Sequence, residues 1–109
     1  MAVVVLLTMV VVGSAGAVSL AAGSEPFLVK DIYPEALGRI PLSSSPNFLT
    51  NFDGTLFFSA IDRTTGDELW KSDGTEAGTV LVKDINPGVG GSLPSILTEV
   101  NGTLFFTAN

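Results

Sequence analysis

The stretch that decides the fold is residues 68–85, which read ELWKSDGTEAGTVLVKDI. An apolar pair, Leu69-Trp70, stands near its start, and the apolar run 80–82 stands near its end. Between them lies a Gly-containing acidic segment, residues 73–79, whose composition is typical of turns. Two short apolar runs separated by turn residues predict a β-hairpin.

The surroundings of this hairpin occur twice in the chain. Residues 28–34 (LVKDIYP) match residues 81–87 (LVKDINP) at an offset of 53, and residues 53–60 match residues 101–108 at an offset of 48. The difference is an insertion in the first copy, within residues 35–45, which predicts a loop because a strand loses its register when it takes an insertion. The sequence is therefore built from a repeat of about fifty residues.

One period of the repeat contains four strand candidates, at about residues 46–52, 55–61, 68–72 and 79–85. Asp53-Gly54 joins the first two, and Asn101-Gly102 joins their counterparts, as expected for two-residue type I′ turns with positive φ at both positions. Four consecutive antiparallel strands form a β-propeller blade. We therefore predict an all-β fold of antiparallel four-stranded repeats of propeller-blade type, amounting to about one and two-thirds blades. The repeat region is residues 27–109, with a complete unit at about 46–85 and partial copies on either side.

The second strand of each copy is apolar on both faces. Its residues are Leu56-Phe57-Phe58 in one copy and Leu104-Phe105-Phe106 in the other, where a half-exposed strand would alternate. Phe57 and Phe105 therefore imply a neighbouring sheet.

The N-terminal residues 1–22 predict a signal peptide or a membrane-anchor helix. Residues 2–12 are an apolar run followed by small residues, the form of a cleaved signal, although the first positive charge is Lys30. An uncleaved anchor is the alternative, because residues 2–22 carry no charge and are long enough to span a bilayer. An ordinary buried segment is the third interpretation. Residues 23–26 read as a linker. The first two interpretations predict a secreted, extracellular or cell-surface protein, or a periplasmic one.

The composition excludes several kinds of chemistry. Five basic and eleven acidic residues give a net charge of −6, which disfavours binding to nucleic acid and to anionic lipid. The chain has no cysteine and no histidine, which removes disulfides, thiolate ligands and the usual general base. No Gly-x-Ser-x-Gly elbow is present, and no pair of carboxylates is singled out as a glycosidase site. We predict no enzyme activity, no catalytic residue and no cofactor-binding residue.

Calcium is the one cofactor that the acidic residues leave open. Asp62, Asp67, Asp73 and Glu76 offer the hard oxygen ligands that Ca²⁺ prefers, but the EF-hand spacing is absent. An aspartate that caps its own turn explains Asp73-Gly74-Thr75 equally well, and we favour that interpretation. No metal ligand is assigned.

Two further residues have a functional and a structural interpretation. Trp70 would serve as a sugar-stacking platform, but its apolar neighbourhood favours a core position. Residues 101–103 form a glycosylation sequon. The counterpart of Asn101 is Asp53, which cannot be glycosylated, so the shared requirement is the turn.

The order ELW-KS-DGT-EAGT-VLVKDI-P, followed by Ser-x-Pro, Leu-Thr, Asn-Gly and LFF-x-A, resembles the bacterial ELWxxDGT repeat family, also described as hyalin-repeat-like. The resemblance covers about residues 27–109. It implies secreted or cell-surface proteins whose tandem copies build propeller-like sheets, and it implies no catalytic residues. The chain departs from the family in copy number, so we expect a truncated protein.

The function expected from these features is a structural, adhesive or ligand-binding role in a non-catalytic, secreted or cell-surface β-repeat protein. The alternative is a fragment of a propeller attached to an extracellular hydrolase whose catalytic residues lie outside this chain. Expected partners are further copies of the repeat, a neighbouring domain, or an extracellular protein or glycan. No nucleic acid is expected, and membrane contact would come only from an uncleaved N-terminal segment. Two incomplete blades leave open edges, so we also expect marginal stability.

Overall fold

A computed structural model describes residues 28–34 and 43–109 of the chain. The predicted signal or anchor segment and the linker lie outside these residues. Within them the all-β prediction is confirmed, because every regular element is a strand and none is a helix, so no helix there could span a membrane. The strands are β1 (Asn47–Phe52), β2 (Thr55–Asp62), β3 (Gly66–Ser72), β4 (Val80–Lys83), β5 (Ser95–Val100) and β6 (Thr103–Thr107).

The strands form two antiparallel sheets. The first has four strands in the order β1-β2-β3-β4, and the second has the two strands β5 and β6. All four strands predicted for the complete unit therefore exist and pair in chain order. β5 contacts both β1 and β2, so the second sheet lies beside the first.

The two N-terminal hairpins of the repeat have the same geometry. The β1–β2 pair and the β5–β6 pair both show a shift of register near the start of the first strand, and they place equivalent residues opposite each other. The equivalent pairs are Asn47 opposite Ser59 with Ser95 opposite Thr107, and Thr50 opposite Phe57 with Thr98 opposite Phe105. The repeat read from the sequence is therefore a structural repeat.

The turns of both hairpins have the predicted backbone conformation. φ is 49° at Asp53 and 75° at Gly54, and it is 49° at Asn101 and 77° at Gly102. Positive φ at both central residues is what a type I′ turn requires, and Asn, Asp and Gly adopt it most readily. These four residues set the tight connection that fixes the register of each hairpin.

The hydrophobic core lies on one face of the four-stranded sheet. Phe58 and Ala60 of β2 and Trp70 of β3 are buried there together with Ile32, and Leu56 and Leu81 pack against them. Ile32 comes from residues 28–34, which correspond in the repeat to β4 and its continuation. This segment forms no strand, contrary to the sequence expectation. No described strand lies beside it in the position that β3 occupies beside β4.

The second strand is buried on both faces in only one of the two copies. In β2 the consecutive residues Phe58, Ser59 and Ala60 are all buried, whereas Phe57, which the sequence predicted to be buried, is half-buried. In β6 the residues Phe105 and Phe106 are exposed. Phe58 packs against Trp70 of β3 and against Ile32, whereas β6 has a described strand on one side only.

Candidate functional site

A buried carboxylate joins the first sheet to the start of the second copy. Glu68 of β3 is 0% exposed. Its Oε2 atom accepts a hydrogen bond of 2.5 Å from the Ser92 hydroxyl, and its Oε1 atom accepts one of 3.1 Å from the Asn86 backbone N–H. A carboxylate is buried at low cost only when such donors replace water. We call Glu68, Asn86 and Ser92 the Glu68 clasp.

Backbone hydrogen bonds hold the loop of the clasp against β3. The carbonyl oxygen of Asp67 accepts from the N–H groups of Ser92 and Leu93, both at 3.0 Å. The side-chain amide of Asn86 donates to the Gly91 carbonyl oxygen at 2.9 Å, which closes the loop on itself. The loop of residues 86–92 is therefore fixed at both ends on the start of one strand.

Two glycines allow this close approach. Gly66, the first residue of β3, and Gly91 both have positive φ, at 74° and 62°. A Cβ on Gly66 would lie 2.5 Å from the Val89 carbonyl oxygen, and one on Gly91 would overlap the backbone of Asp67. Side chains at these positions would push the loop away from the strand.

Ser44 is the counterpart of Ser92 in the first copy, 48 residues earlier. Both serines are 0% exposed. The backbone contacts repeat as well, since the Ile61 N–H donates to the Ser44 carbonyl at 2.8 Å and the Asn109 N–H donates to the Ser92 carbonyl at 2.7 Å. The two hydroxyls differ. That of Ser92 binds Glu68, whereas that of Ser44 has no hydrogen-bond partner among the described residues. Both copies thus bury a serine at the same position, and in the second copy the serine hydroxyl binds a carboxylate.

The acidic turn between β3 and β4 is organised by its own side chains. Asp73 Oδ1 accepts from the Thr75 N–H at 2.9 Å and from the Thr75 hydroxyl at 2.7 Å. These bonds hold the pKa of the Asp73 carboxyl below its usual range. Thr79, which is buried, donates its hydroxyl to the Thr75 carbonyl at 2.7 Å and lies 2.7 Å from the Ser72 hydroxyl. Asp73 therefore acts as a turn cap, as the favoured interpretation expects.

Asp62 caps the preceding turn in the same way. Its Oδ1 atom accepts from the N–H groups of Thr64 at 2.7 Å and Thr65 at 2.6 Å. Burial opposes ionisation of Asp62, but the hydrogen bonds from Thr65 and Thr64 together outweigh it and lower its pKa. Asp67 is the opposite case, because burial, reinforced by the nearby negative charge of Glu68, raises its pKa.

The four acidic residues considered for calcium do not form a common site in the described part of the chain. No group of three or more carboxylates there has an arrangement that would hold a metal ion. Asp62 and Asp73 serve two different turns, and Glu76 is exposed. Asp67 differs from these three, because its Oδ1 atom is buried and has no hydrogen-bond partner among the described residues.

An open cleft of about 510 Å³ lies between the tips of the two equivalent hairpins. Asp53 and Gly102 of the two turns line it, together with Asn51, Phe52 and Glu99. The Glu99 carboxylate accepts a hydrogen bond of 2.8 Å from the Gly102 N–H. The cleft therefore combines the aromatic ring of Phe52 with polar and acidic groups.

The two residues with alternative interpretations take structural positions. Trp70 is 7% exposed and belongs to the core cluster together with Phe58 and Ile32. Asn101 is exposed at the hairpin turn with positive φ. The core position of Trp70 and the turn position of Asn101 were both predicted from the sequence, whereas the Glu68 clasp was not. The available signal was the Ser-x-Pro motif, which occurs at Ser44 and Ser92 alike.

These features define a β-protein of antiparallel sheets in which one hairpin is repeated and a buried carboxylate links the copies. Comparison with protein-family models, with curated proteins and with solved structures finds no match to this chain.

Proposed function

We propose that this chain is a non-catalytic repeat module of a secreted or cell-surface protein of the ELWxxDGT type, with a structural or adhesive role. Its blades are of the propeller kind. Each copy packs against the next, and exposed surfaces such as the cleft between the hairpin tips contact an extracellular protein or glycan.

The observation that carries the proposal is a buried hydrogen bond between two successive copies of the repeat. Glu68 belongs to the third strand of one copy, whereas Ser92 belongs to the segment that opens the next. A buried carboxylate used in this way joins units rather than activating a substrate, since both of its oxygens are occupied by protein donors. Repeat proteins whose units contact only their neighbours present extended surfaces for binding.

The location is tested with the full chain carrying a C-terminal epitope tag in a bacterial host. We expect the tag in the medium, or on intact cells in a form that added protease removes. A tag that stays in the cytoplasmic fraction and resists protease on intact cells contradicts a secreted or surface location.

The adhesive role is tested by copy number. Beads are coated with equal masses of the full chain or of a version in which residues 46–93 are present three times in tandem, and their retention on extracellular glycan or protein surfaces is compared. Linked copies bind with an effective concentration that single copies lack, so we expect retention to rise by about tenfold or more. Equal retention on every surface contradicts adhesion.

A further inference from the structure

The strand β6 has an open edge in the described part of the chain. It pairs with β5 on one side, and no described strand lies on the other. Its counterpart β2 pairs with β1 on one side and with β3 on the other. The equivalent position beside β6, where the first sheet holds β3, is therefore unoccupied by any described strand.

The missing neighbour leaves apolar side chains in water. Phe58 of β2 is 0% exposed, whereas its counterpart Phe106 of β6 is 36% exposed. Phe105 is 57% exposed. No charged residue, proline or bulge interrupts β6, which reads Thr-Leu-Phe-Phe-Thr. Natural proteins usually protect an edge with one of these devices, so an unprotected apolar edge indicates a strand-binding surface.

We propose that the open edge of β6 binds an extended polypeptide segment with the sequence pattern of β3, Gly-Asp-Glu-Leu-Trp-Lys-Ser, supplied by a further copy of the repeat. This inference rests on the proposed function as a self-joining repeat and names the segment that the join requires. A folded second copy of this chain does not supply it, because its own β3 is already paired with β2 and β4.

The first sheet fixes the register of the bound strand. Phe58 lies opposite Trp70 there, and Phe57 lies opposite Lys71. The offset of 48 between β2 and β6 places the tryptophan of the incoming strand opposite Phe106 and its lysine opposite Phe105. The tryptophan then covers Phe106, as Trp70 covers Phe58 in the core of the first sheet.

The hairpin turn fixes which backbone groups are free. In a two-residue hairpin the residues flanking the turn, here Val100 and Thr103, form a hydrogen-bonded pair, and such pairs alternate along the strands. Phe105 therefore points its N–H and C=O groups toward β5, whereas Leu104 and Phe106 point theirs toward the open edge. In the incoming strand, the tryptophan N–H faces β6 and the N–H of the preceding leucine faces away.

This alternation gives a matched test in which the protein is unchanged. The full chain is titrated with three fluorescent peptides of residues 65–73: the natural sequence, the same peptide N-methylated at tryptophan, and the same peptide N-methylated at leucine. We expect saturable binding of the natural peptide. N-methylation at tryptophan removes a buried hydrogen bond and should weaken binding by about tenfold or more, whereas N-methylation at leucine should change it by less than about threefold.

Hydrogen exchange on the complex supplies the second readout, with slowed exchange expected at the Phe106 amide. Equal loss of binding with both methylated peptides overturns the proposal, and so does the absence of saturable binding. Dimerisation of the full chain through β6 without peptide, detected by sedimentation together with protection of Phe106, assigns the edge to a second copy and also overturns it. None of these readouts depends on export or adhesion, so a failure here is distinct from a failure of the proposed function.

Discussion

Removing the Ser92 hydroxyl should destabilise the fold through the carboxylate that it leaves behind. In Ser92→Ala, the buried Glu68 keeps one donor, the Asn86 N–H, and loses the 2.5 Å bond. A hydrogen bond to a charged group contributes about 1.5–3 kcal/mol, so we expect the free energy of unfolding to fall by about 2 kcal/mol. Glu68→Gln keeps the shape of the side chain but replaces the carboxylate with a weaker acceptor, so we expect a similar fall in the free energy of unfolding.

The decisive quantity is the coupling between the two substitutions. The double variant should lose at least about 1 kcal/mol less than the sum of the single losses, because either substitution alone breaks the same bond. Urea titration of the full chain is followed by the fluorescence of Trp70, the single tryptophan of the chain and a residue buried close to Glu68 in the same strand. Trimethylamine N-oxide is added equally to every sample to secure a folded baseline.

The matched control is Ser44→Ala, which removes an equally buried serine at the equivalent position. Within residues 28–34 and 43–109 the Ser44 hydroxyl has no hydrogen-bond partner, so its removal should leave stability unchanged or raise it slightly. Losses that add within about 0.5 kcal/mol in the double variant would refute the clasp as an energetic link. Equal losses from Ser44→Ala and Ser92→Ala would refute it as well, since the carboxylate would then not matter.

Three further predictions concern the loop of residues 86–92, the turn capped by Asp62, and the register shift near the start of β5. Gly91→Ala should lower the free energy of unfolding by about 2 kcal/mol or more in urea titration, because a Cβ at this position overlaps the backbone of β3. In the control Gly90→Ala the Cβ lies in open space, so the free energy of unfolding should change little. Asp62 has a lowered pKa in the folded state, so the stability that its ionised carboxylate contributes is complete above about pH 4 and is lost as the pH falls through the folded pKa. Asp62→Asn should therefore make the free energy of unfolding depend less steeply on pH in the acid range. An unchanged slope would contradict this. Ile96 is β-branched, 68% exposed and held at a φ of 54°. Ile96→Asn should therefore raise the urea midpoint by relieving about 1 kcal/mol of backbone strain. The control Leu97→Asn places an amide at a half-buried site and should lower the urea midpoint.

Local rules of sequence predicted the strands and turns of the described region. The Asp-Gly and Asn-Gly pairs determine their own backbone conformation, and the apolar runs define β1 and β2 to within a residue. β3 begins two residues earlier than predicted, at Gly66, because the ladder with β2 continues to the pair Asp62–Gly66. β4 is shorter than predicted and ends at Lys83, since β3 offers partners only from Leu69 to Lys71.

Local sequence patterns could not predict the Glu68 clasp. Glu68 and Ser92 lie 24 residues apart in sequence, and a glutamate within a strand is far more often exposed than buried. Its burial depends on the return of the loop of residues 86–92 to β3, which in turn depends on the close approach at Gly91. Only the three-dimensional arrangement brings these parts together.

The exposed surface of β6 also depends on packing and not on composition. The sequence LFF is the same in β2 and β6, and it predicted burial on both faces in each. In β2 only Phe58, which lies opposite Trp70 of β3, is fully buried, whereas Phe105 and Phe106 of β6 are exposed beside an edge that has no described neighbour. The same residues thus build a core in one copy and an apolar edge in the other.

The central claim is that the four-stranded unit is the repeating element and that β6 is the second strand of another such unit. The most direct test extends the chain by a copy of residues 62–85 placed after Asn109, the counterpart of Ile61, and compares its urea midpoint with that of an extension of scrambled sequence. A completed second sheet buries Phe106 and pairs the open edge, so the natural extension should give a sharper transition at a higher urea midpoint. Identical midpoints and slopes for the natural and scrambled extensions would contradict the claim.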